Sequence, residues 1–267
     1  MDSDGWFDVS GKVVVVSGGG RGIGLMIAEG FVSAGSTVYI SSRAKDVLDS
    51  AAKALNEKYS SKKGSGTCFA IAADLSTVEG CRHLAEQIQK KESKVHVLVN
   101  NSGNNWAAPL DTFPESGFDK VMNLNLKGPF FLTQSLLPLL KSAGTKEDPA
   151  RVINISSING ANITALETYS YSASKAGLVH LSRHLASKLA DHNITVNVIL
   201  PGAFATKLTK ATLDTFGSAI VAGTPLKRLG KPSDISSACI FLASPGASWV
   251  TGATLAVDGG ALIKATL

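Results

Sequence analysis

Short runs of β-branched and apolar residues recur along the chain at 13–17, 37–42, 68–72, 95–100, 151–156, 195–200 and 254–257, and most are apolar at consecutive rather than alternate positions. A strand that is apolar on both faces belongs inside a sheet covered on both sides, which is the setting of a buried parallel sheet. Between these runs, segments 22–34, 45–58, 77–91, 115–142, 169–190 and 233–243 repeat apolar residues at helical spacing. Strand and helix alternate from end to end, so the pattern predicts an α/β fold in which about seven parallel strands form one doubly wound sheet flanked by helices. The polar stretches 60–66 and 142–150 are loops between elements, and no repeat, low-complexity tract or long linker divides the chain. Residues 1–267 therefore read as a single domain.

Composition narrows the picture. With 44% hydrophobic residues over 267 positions the chain can bury a large core, and 18% charged residues is too few for a disordered protein. The net charge of +5 comes from 26 scattered Lys and Arg, with no basic block longer than a pair such as Lys62-Lys63, which favours a small anionic ligand over nucleic acid. Cys68, Cys81 and Cys239 lie far apart without a CxxC, so neither a disulfide framework nor a zinc site is expected. The N-terminal stretch MDSDGWFDVSG has no basic or apolar leader character, and no run of about 18 apolar residues occurs; a soluble, cytoplasmic protein without membrane association is expected.

The densest glycine cluster follows the first strand, where residues 17–24 read SGGGRGIG. Glycine weakens strand and helix alike, so five in eight residues mark a place where the backbone is approached closely. Between a strand and a helix, backbone N–H groups and the helix N-terminus form a site for a pyrophosphate. The spacing Gly18-x3-Gly22-x-Gly24 sets Gly18, Arg21, Gly22, Ile23 and Gly24 around such a site, although a tight turn without a ligand would use the same glycines.

Further motifs follow in order: Asp74-Leu75 after the third strand, Asn100-Asn101-Ser102-Gly103, Asn125-Leu126-Lys127-Gly128, Ser156-Ser157, Tyr171-Ser172-Ala173-Ser174-Lys175, Pro201-Gly202 and Val257-Asp258-Gly259-Gly260. Together with the glycine turn they make nearly the whole chain resemble the short-chain dehydrogenases/reductases. Ser17 stands where that family's TGxxxGxG motif usually has threonine, and Ser102 where its NNAG motif has alanine. The resemblance implies a Rossmann-like oxidoreductase with the tetrad Asn125, Ser157, Tyr171 and Lys175. It also implies cofactor contacts from Asp74, Leu75, Asn101, Ser102, Gly103, Pro201 and Gly202, and from Thr206 of a PGxxxT pattern. Within the family the sequence is most similar to 3-oxoacyl thioester reductases and carbonyl reductases. A homodimer or homotetramer is implied, with the helices beginning at Glu115 and Tyr169 against partners.

The chemistry can also be argued from the residues. Tyr171 and Lys175, four apart on a helix, share a face, and an ammonium beside a phenol lowers its pKa from about 10 toward the range of a general acid or base. Ser157, at a strand end, is placed to hydrogen-bond a developing oxyanion. Ser156 competes for that role, but Gly160 three residues beyond Ser157 matches the family pattern, and Ser156 is expected to be structural. Tyr169 competes with Tyr171, but only Tyr171 has a lysine four residues on. The interval of 14 residues from Ser157 to Tyr171 is one longer than in many relatives, so the loop 161–170 is expected to shape the substrate site. The family resemblance implies that Asn125 supports a water linking the lysine to solvent, alongside capping or kinking its own helix.

An acid about 20 residues after the glycine loop would bind the 2′-hydroxyl of NAD, whereas arginine suits the 2′-phosphate of NADP. The second strand ends Ser41-Ser42-Arg43 with no acid, and Ser42, Arg43 and Arg21 predict NADP(H); a solvent pair of Arg43 with Asp46 is the alternative. His180 and His184 have zinc-like spacing but no third ligand, so no metal is expected. Segment 203–226 contains Phe204, Leu208, Leu213, Phe216, Ile220 and Val221; the family resemblance implies a lid over the substrate, for which these residues suggest an apolar or acyl-bearing ligand, while packing against the body explains them equally. Trp106 either lines the pocket or is a surface aromatic. The expected function is NADP(H)-dependent reduction of a small-molecule ketone. A sugar or polyol dehydrogenase is the alternative within the family, and a non-catalytic NADP(H)-binding protein is the alternative outside it.

Overall fold

A computed structural model describes residues 5–163 and 165–263. Residues 1–4 and 264–267, which the sequence assigns to the same domain, lie outside the described residues. The strands are β1 (Val13–Ser17), β2 (Thr37–Ser42), β3 (Thr67–Ala72), β4 (Val97–Asn100), β5 (Ala150–Ile155), β6 (Ile194–Pro201) and β7 (Thr254–Val257). The helices are α1 (Gly22–Ser33), α2 (Lys45–Tyr59), α3 (Val78–Gln89), α4 (Glu115–Met122), α5 (Gly128–Ala143), α6 (Tyr169–Leu189), α7 (Lys210–Gly223) and α8 (Pro232–Ala243). The seven strands form one sheet in the order β3-β2-β1-β4-β5-β6-β7, with every neighbouring pair parallel.

Alternation along each strand feeds two cores. Val14 and Val16 join Ile40, Val97 and Val99 under Ile27 and Phe31 of α1 and Ile235 and Leu242 of α8. Val13 and Val15 face the other way, with Leu98 and Val152 under Leu84 of α3 and Leu132 and Leu136 of α5. This is why the strands are apolar at consecutive positions: each residue covers one side or the other. A fully buried valine contributes about 1.5–3 kcal/mol, so β1 alone anchors the sheet strongly. Strand order reverses between β1 and β4, and the crevice outside the carboxyl ends of those two strands is where ligands bind in open α/β sheets.

Two elements differ from the sequence expectation. The helix expected over 115–142 is broken: α4 ends at Met122, a five-residue π-helical turn spans Asn123–Lys127, and α5 resumes at Gly128. A π turn inserts a residue without a change of composition, so periodicity alone did not reveal it. Segment 203–226, expected as a lid or as packing, contains the helix α7, none of whose residues is buried. Packing into the core accounts for Phe204, which is 1% exposed, but not for the apolar residues of α7.

Candidate functional site

The glycine turn sits at the end of β1. Gly18 has φ +68°, a conformation that favours glycine, and a Cβ on Gly24 would lie 2.3 Å from the Gly18 carbonyl oxygen. α1 then begins with Arg21 as its N-cap, without a side-chain capping bond and without an acidic residue in the first turn. Its leading N–H groups and dipole are thus left facing the turn, the arrangement that receives an anion. Arg21 and Arg43 are exposed, Ser42 is half-buried, and Arg43 forms no ion pair with Asp46 among the described residues. Ile23 packs against the core from the first turn of α1.

Asp74 accepts hydrogen bonds from Ser76 N (3.0 Å) and Ser76 Oγ (2.7 Å). Burial would raise its pKa, but those bonds and the nearby Arg43 charge hold it below the usual carboxylate value. Leu75 buries its side chain in the core, leaving its backbone for a ligand.

The turn after β4 is tied to the glycine turn by a residue missing from the sequence-based set. Ser17 Oγ accepts from Asn101 N and Ser102 N, both at 2.9 Å, while Asn101 Nδ2 donates to Ser17 O at 2.9 Å. Its signal was present in the sequence as the hydroxyl residue opening the glycine motif. Gly103 follows, and a Cβ there would meet Asn125 Oδ1 at 3.4 Å and Lys175 Nζ at 3.6 Å, so this turn closes against the tetrad.

Asn125 is fully buried in the π turn. Its Oδ1 accepts from Asn104 N (2.9 Å), and its Nδ2 donates to Asn104 O (2.9 Å) and Ser174 Oγ (3.1 Å). One side chain thereby joins the loop after β4 to α6, a link that neither capping nor a simple kink had suggested.

Ser157 lies just beyond β5 and Tyr171 and Lys175 lie in the first turns of α6. Lys175 is 4% exposed, its Nζ donates to Ile155 O at 2.8 Å, and it lies 5.7 Å from the centre of the Tyr171 ring. Burial lowers its pKa from 10.5 to about 8. Burial raises the Tyr171 phenol, and a hydrogen bond with Ser157 works in the opposite direction. Desolvation thus acts on both groups, disfavouring the phenolate and the ammonium alike. Ser157 Oγ accepts from Asn159 N at 3.2 Å, whereas Ser156 turns its hydroxyl onto the carbonyl of Lys175 at 2.8 Å.

At the other rim, Gly202 N donates to Val257 O at 3.0 Å and Pro201 is buried. Thr206 reaches back to the glycine turn, with carbons 3.4 Å from where a Cβ on Gly22 would stand. Gly230 N bonds Ala203 O at 2.9 Å, closing the base of the segment that carries α7. Trp106 packs its ring on Gly117 of α4, with the Lys120 ammonium 5.4 Å from the ring centre. His180 and His184 are exposed on α6, and among the described residues no group of three or more His, Cys, Asp or Glu is placed to hold a metal.

A parallel sheet with an uncapped glycine turn at its order reversal, and a tyrosine–lysine pair beside it, defines a dinucleotide-binding oxidoreductase. A family model described as "Enoyl-(Acyl carrier protein) reductase" matches residues 18–261, and the chain belongs to the short-chain dehydrogenase/reductase family. It is 39% identical over 257 residues to the rhamnolipids biosynthesis 3-oxoacyl-[acyl-carrier-protein] reductase of Pseudomonas aeruginosa, covering 96% of this chain and 98% of that one. It is 34% identical over 253 residues to the 7alpha-hydroxysteroid dehydrogenase of Escherichia coli, covering 94% of each. Among solved structures it is similar to the Pseudomonas aeruginosa RhlG/NADP active-site complex, with a TM-score of 0.91 and 38% identity over 98% of this chain and 100% of that one.

Proposed function

We propose that the protein is an NADPH-dependent reductase of a 3-oxoacyl thioester, β-ketoester or related ketone. The observation that carries this reading is the convergence of Ser157, Tyr171 and the buried Lys175 at the mouth of the crevice between β1 and β4. The residues fit the cofactor: the glycines of the turn leave room for a pyrophosphate, the N-terminus of α1 has no side-chain cap, and the exposed Arg21 and Arg43, with Ser42 next to Arg43 in the chain, offer positive charge for a 2′-phosphate. The likeness to a reductase solved with NADP supports the same choice.

When bound, NADPH supplies the hydride that reaches the substrate carbonyl carbon. Tyr171 donates its phenolic proton to the carbonyl oxygen, and Ser157, hydrogen-bonded to Tyr171, brings its hydroxyl to the same place to steady that oxygen. Lys175, with a pKa of about 8, holds a proton that is readily given up near neutral pH and so is suited to restoring the phenol. Asn125 fixes the backbone of Asn104 against α6 and keeps the loop over the lysine in place. Asp74, Leu75, Asn101, Ser102, Gly103, Pro201, Gly202 and Thr206 complete the cofactor cleft. Segment 203–226 serves as the substrate lid; Leu208, Phe216 and Leu226 are exposed on it, which suits an apolar or acyl-bearing substrate. Phe118 and Tyr169, exposed on α4 and α6, support assembly as a homodimer or homotetramer. Three unpaired, buried cysteines favour a reducing cytoplasmic setting.

The test is initial-rate spectroscopy with NADPH and with NADH over acetoacetyl thioester, β-ketoester, aryl ketone and ketose substrates. Turnover of the thioester or ketoester with NADPH is expected, and Tyr171→Phe should lower it by about 10²–10⁴-fold while leaving NADPH binding intact. Oxidation of polyols in place of ketone reduction, or a Tyr171→Phe variant as fast as the parent, would overturn this reading.

A further inference from the structure

We infer that Ser156, outside the tetrad, is a positioning residue that sets Tyr171 against Ser157 by gripping the backbone of Lys175; the inference rests on the reductase reading above. Ser156 is 4% exposed, and its own N–H is bonded to Ile199 O of β6 at 2.8 Å, so it is anchored in the sheet. Its Oγ donates to Lys175 O at 2.8 Å, while the preceding residue's carbonyl, Ile155 O, accepts from Lys175 Nζ at 2.8 Å. The end of β5 therefore holds a single lysine at two points, its main-chain carbonyl and its ammonium.

The bond to the carbonyl is not needed to satisfy it. α6 runs on to Leu189, so Lys175 O has an intrahelical partner four residues later, and the serine hydroxyl occupies the second lone pair. Its effect is placement. The connection presses on the same spot from another side: a Cβ on Gly160 would lie 2.8 Å from Lys175 C and 2.9 Å from Lys175 O. Ser157, extended at φ −167° and ψ 157°, lies between these two contacts and meets Tyr171 one helical turn before Lys175. Without the Ser156 hydroxyl, the Lys175 end of α6 is tied to the end of β5 through the ammonium that the chemistry also uses, while Asn154 Nδ2 still bonds Ser182 Oγ (2.7 Å) two turns further along.

The experiment compares Ser156→Ala with the parent reductase in NADPH affinity, melting temperature, kcat and the pH dependence of kcat. Retained NADPH binding and a cooperative melt establish that the variant is folded. The expected result is a fall in kcat of about three- to tenfold, the size of one lost hydrogen bond. The limb governed by Tyr171 should also move to higher pH, because a phenol that no longer meets Ser157 loses the contact that lowers its pKa. An unchanged kcat overturns the inference, and so does a reduced kcat with an unmoved limb, which marks a purely structural hydroxyl. Absence of ketone turnover in the parent protein would instead overturn the reductase reading.

Discussion

Replacing Lys175 with methionine should stabilise the folded protein while abolishing its proposed reaction. The lysine is 4% exposed, and burial lowers its pKa from 10.5 to about 8. At about 1.4 kcal/mol per pH unit, holding the ammonium charged in the folded chain costs about 3 kcal/mol at neutral pH. Methionine keeps an aliphatic stem of similar length and removes that cost. It also removes the charge-assisted bond from Nζ to Ile155 O, worth about 1.5–3 kcal/mol, so a net gain of up to about 1.5 kcal/mol remains. The sign with pH follows from linkage. Below pH 8 both folded and unfolded lysines are protonated and the cost is fully present. Between about pH 8 and 10.5 the unfolded chain binds more protons than the folded one, so the parent gains stability as pH rises. Urea unfolding of parent and variant at about pH 7 and pH 10 reads the difference, which should be largest at pH 7 and shrink at pH 10. A variant less stable than the parent at pH 7, or a difference that ignores pH, would refute the reasoning. A site that keeps such a charge against stability keeps it for chemistry.

Other outcomes are equally checkable. Arg43→Ala should weaken NADPH binding by about tenfold and leave NADH unchanged, since only the former has a 2′-phosphate for the guanidinium; fluorescence titration decides, and equal losses for both would remove the phosphate contact. Gly24→Ala puts a Cβ 2.3 Å from Gly18 O and 2.4 Å from Asn101 Nδ2, so it should cost about 1–3 kcal/mol in melting experiments and abolish cofactor binding. His96 Nδ1 accepts from Val13 N at 2.9 Å, and its pKa is lowered by burial and by Lys12 and Lys94, against opposing effects of Asp148 and Glu92. The neutral ring is thus favoured on folding, so its contribution is present above about pH 6.5 and lost as pH falls through the lowered folded value. His96→Asn should flatten the acid limb of the melting curve as pH falls below about 6.5, and an unaltered limb would assign acid sensitivity elsewhere.

Much of this was legible in the chain because the relevant physics is local. β1, β2 and β7 fall where the apolar runs place them, and helix starts at Gly22, Lys45 and Tyr169 follow the turn and spacing signals. α7 was also within reach: Leu213, Phe216, Ile220 and Val221 recur at helical spacing, but in a segment judged by its composition and not by its period. What stayed hidden depends on contacts between distant segments. Ser156 and Ser174 are small polar residues whose hydroxyls meet backbone or side-chain groups across the fold, and nothing in their neighbourhoods foretells a partner. The Tyr171–Lys175 spacing conveys proximity but not dielectric, so it could not show that burial acts on both groups at once.

The π turn at Asn123–Lys127 ties two parts of the molecule that share no contact in sequence. Each residue in a helix advances the facing direction by about 100°, so removing one from this turn to leave a regular helix would rotate everything beyond it by that amount. Leu132, Leu136, Leu139 and Leu140 would swing off the sheet, or, if they held their places, Asn125 would leave Asn104 and Ser174. The leucines of α5 therefore act as a ratchet on the asparagine: the irregularity that points it into the cleft cannot be smoothed away in a single step without unseating the core behind it.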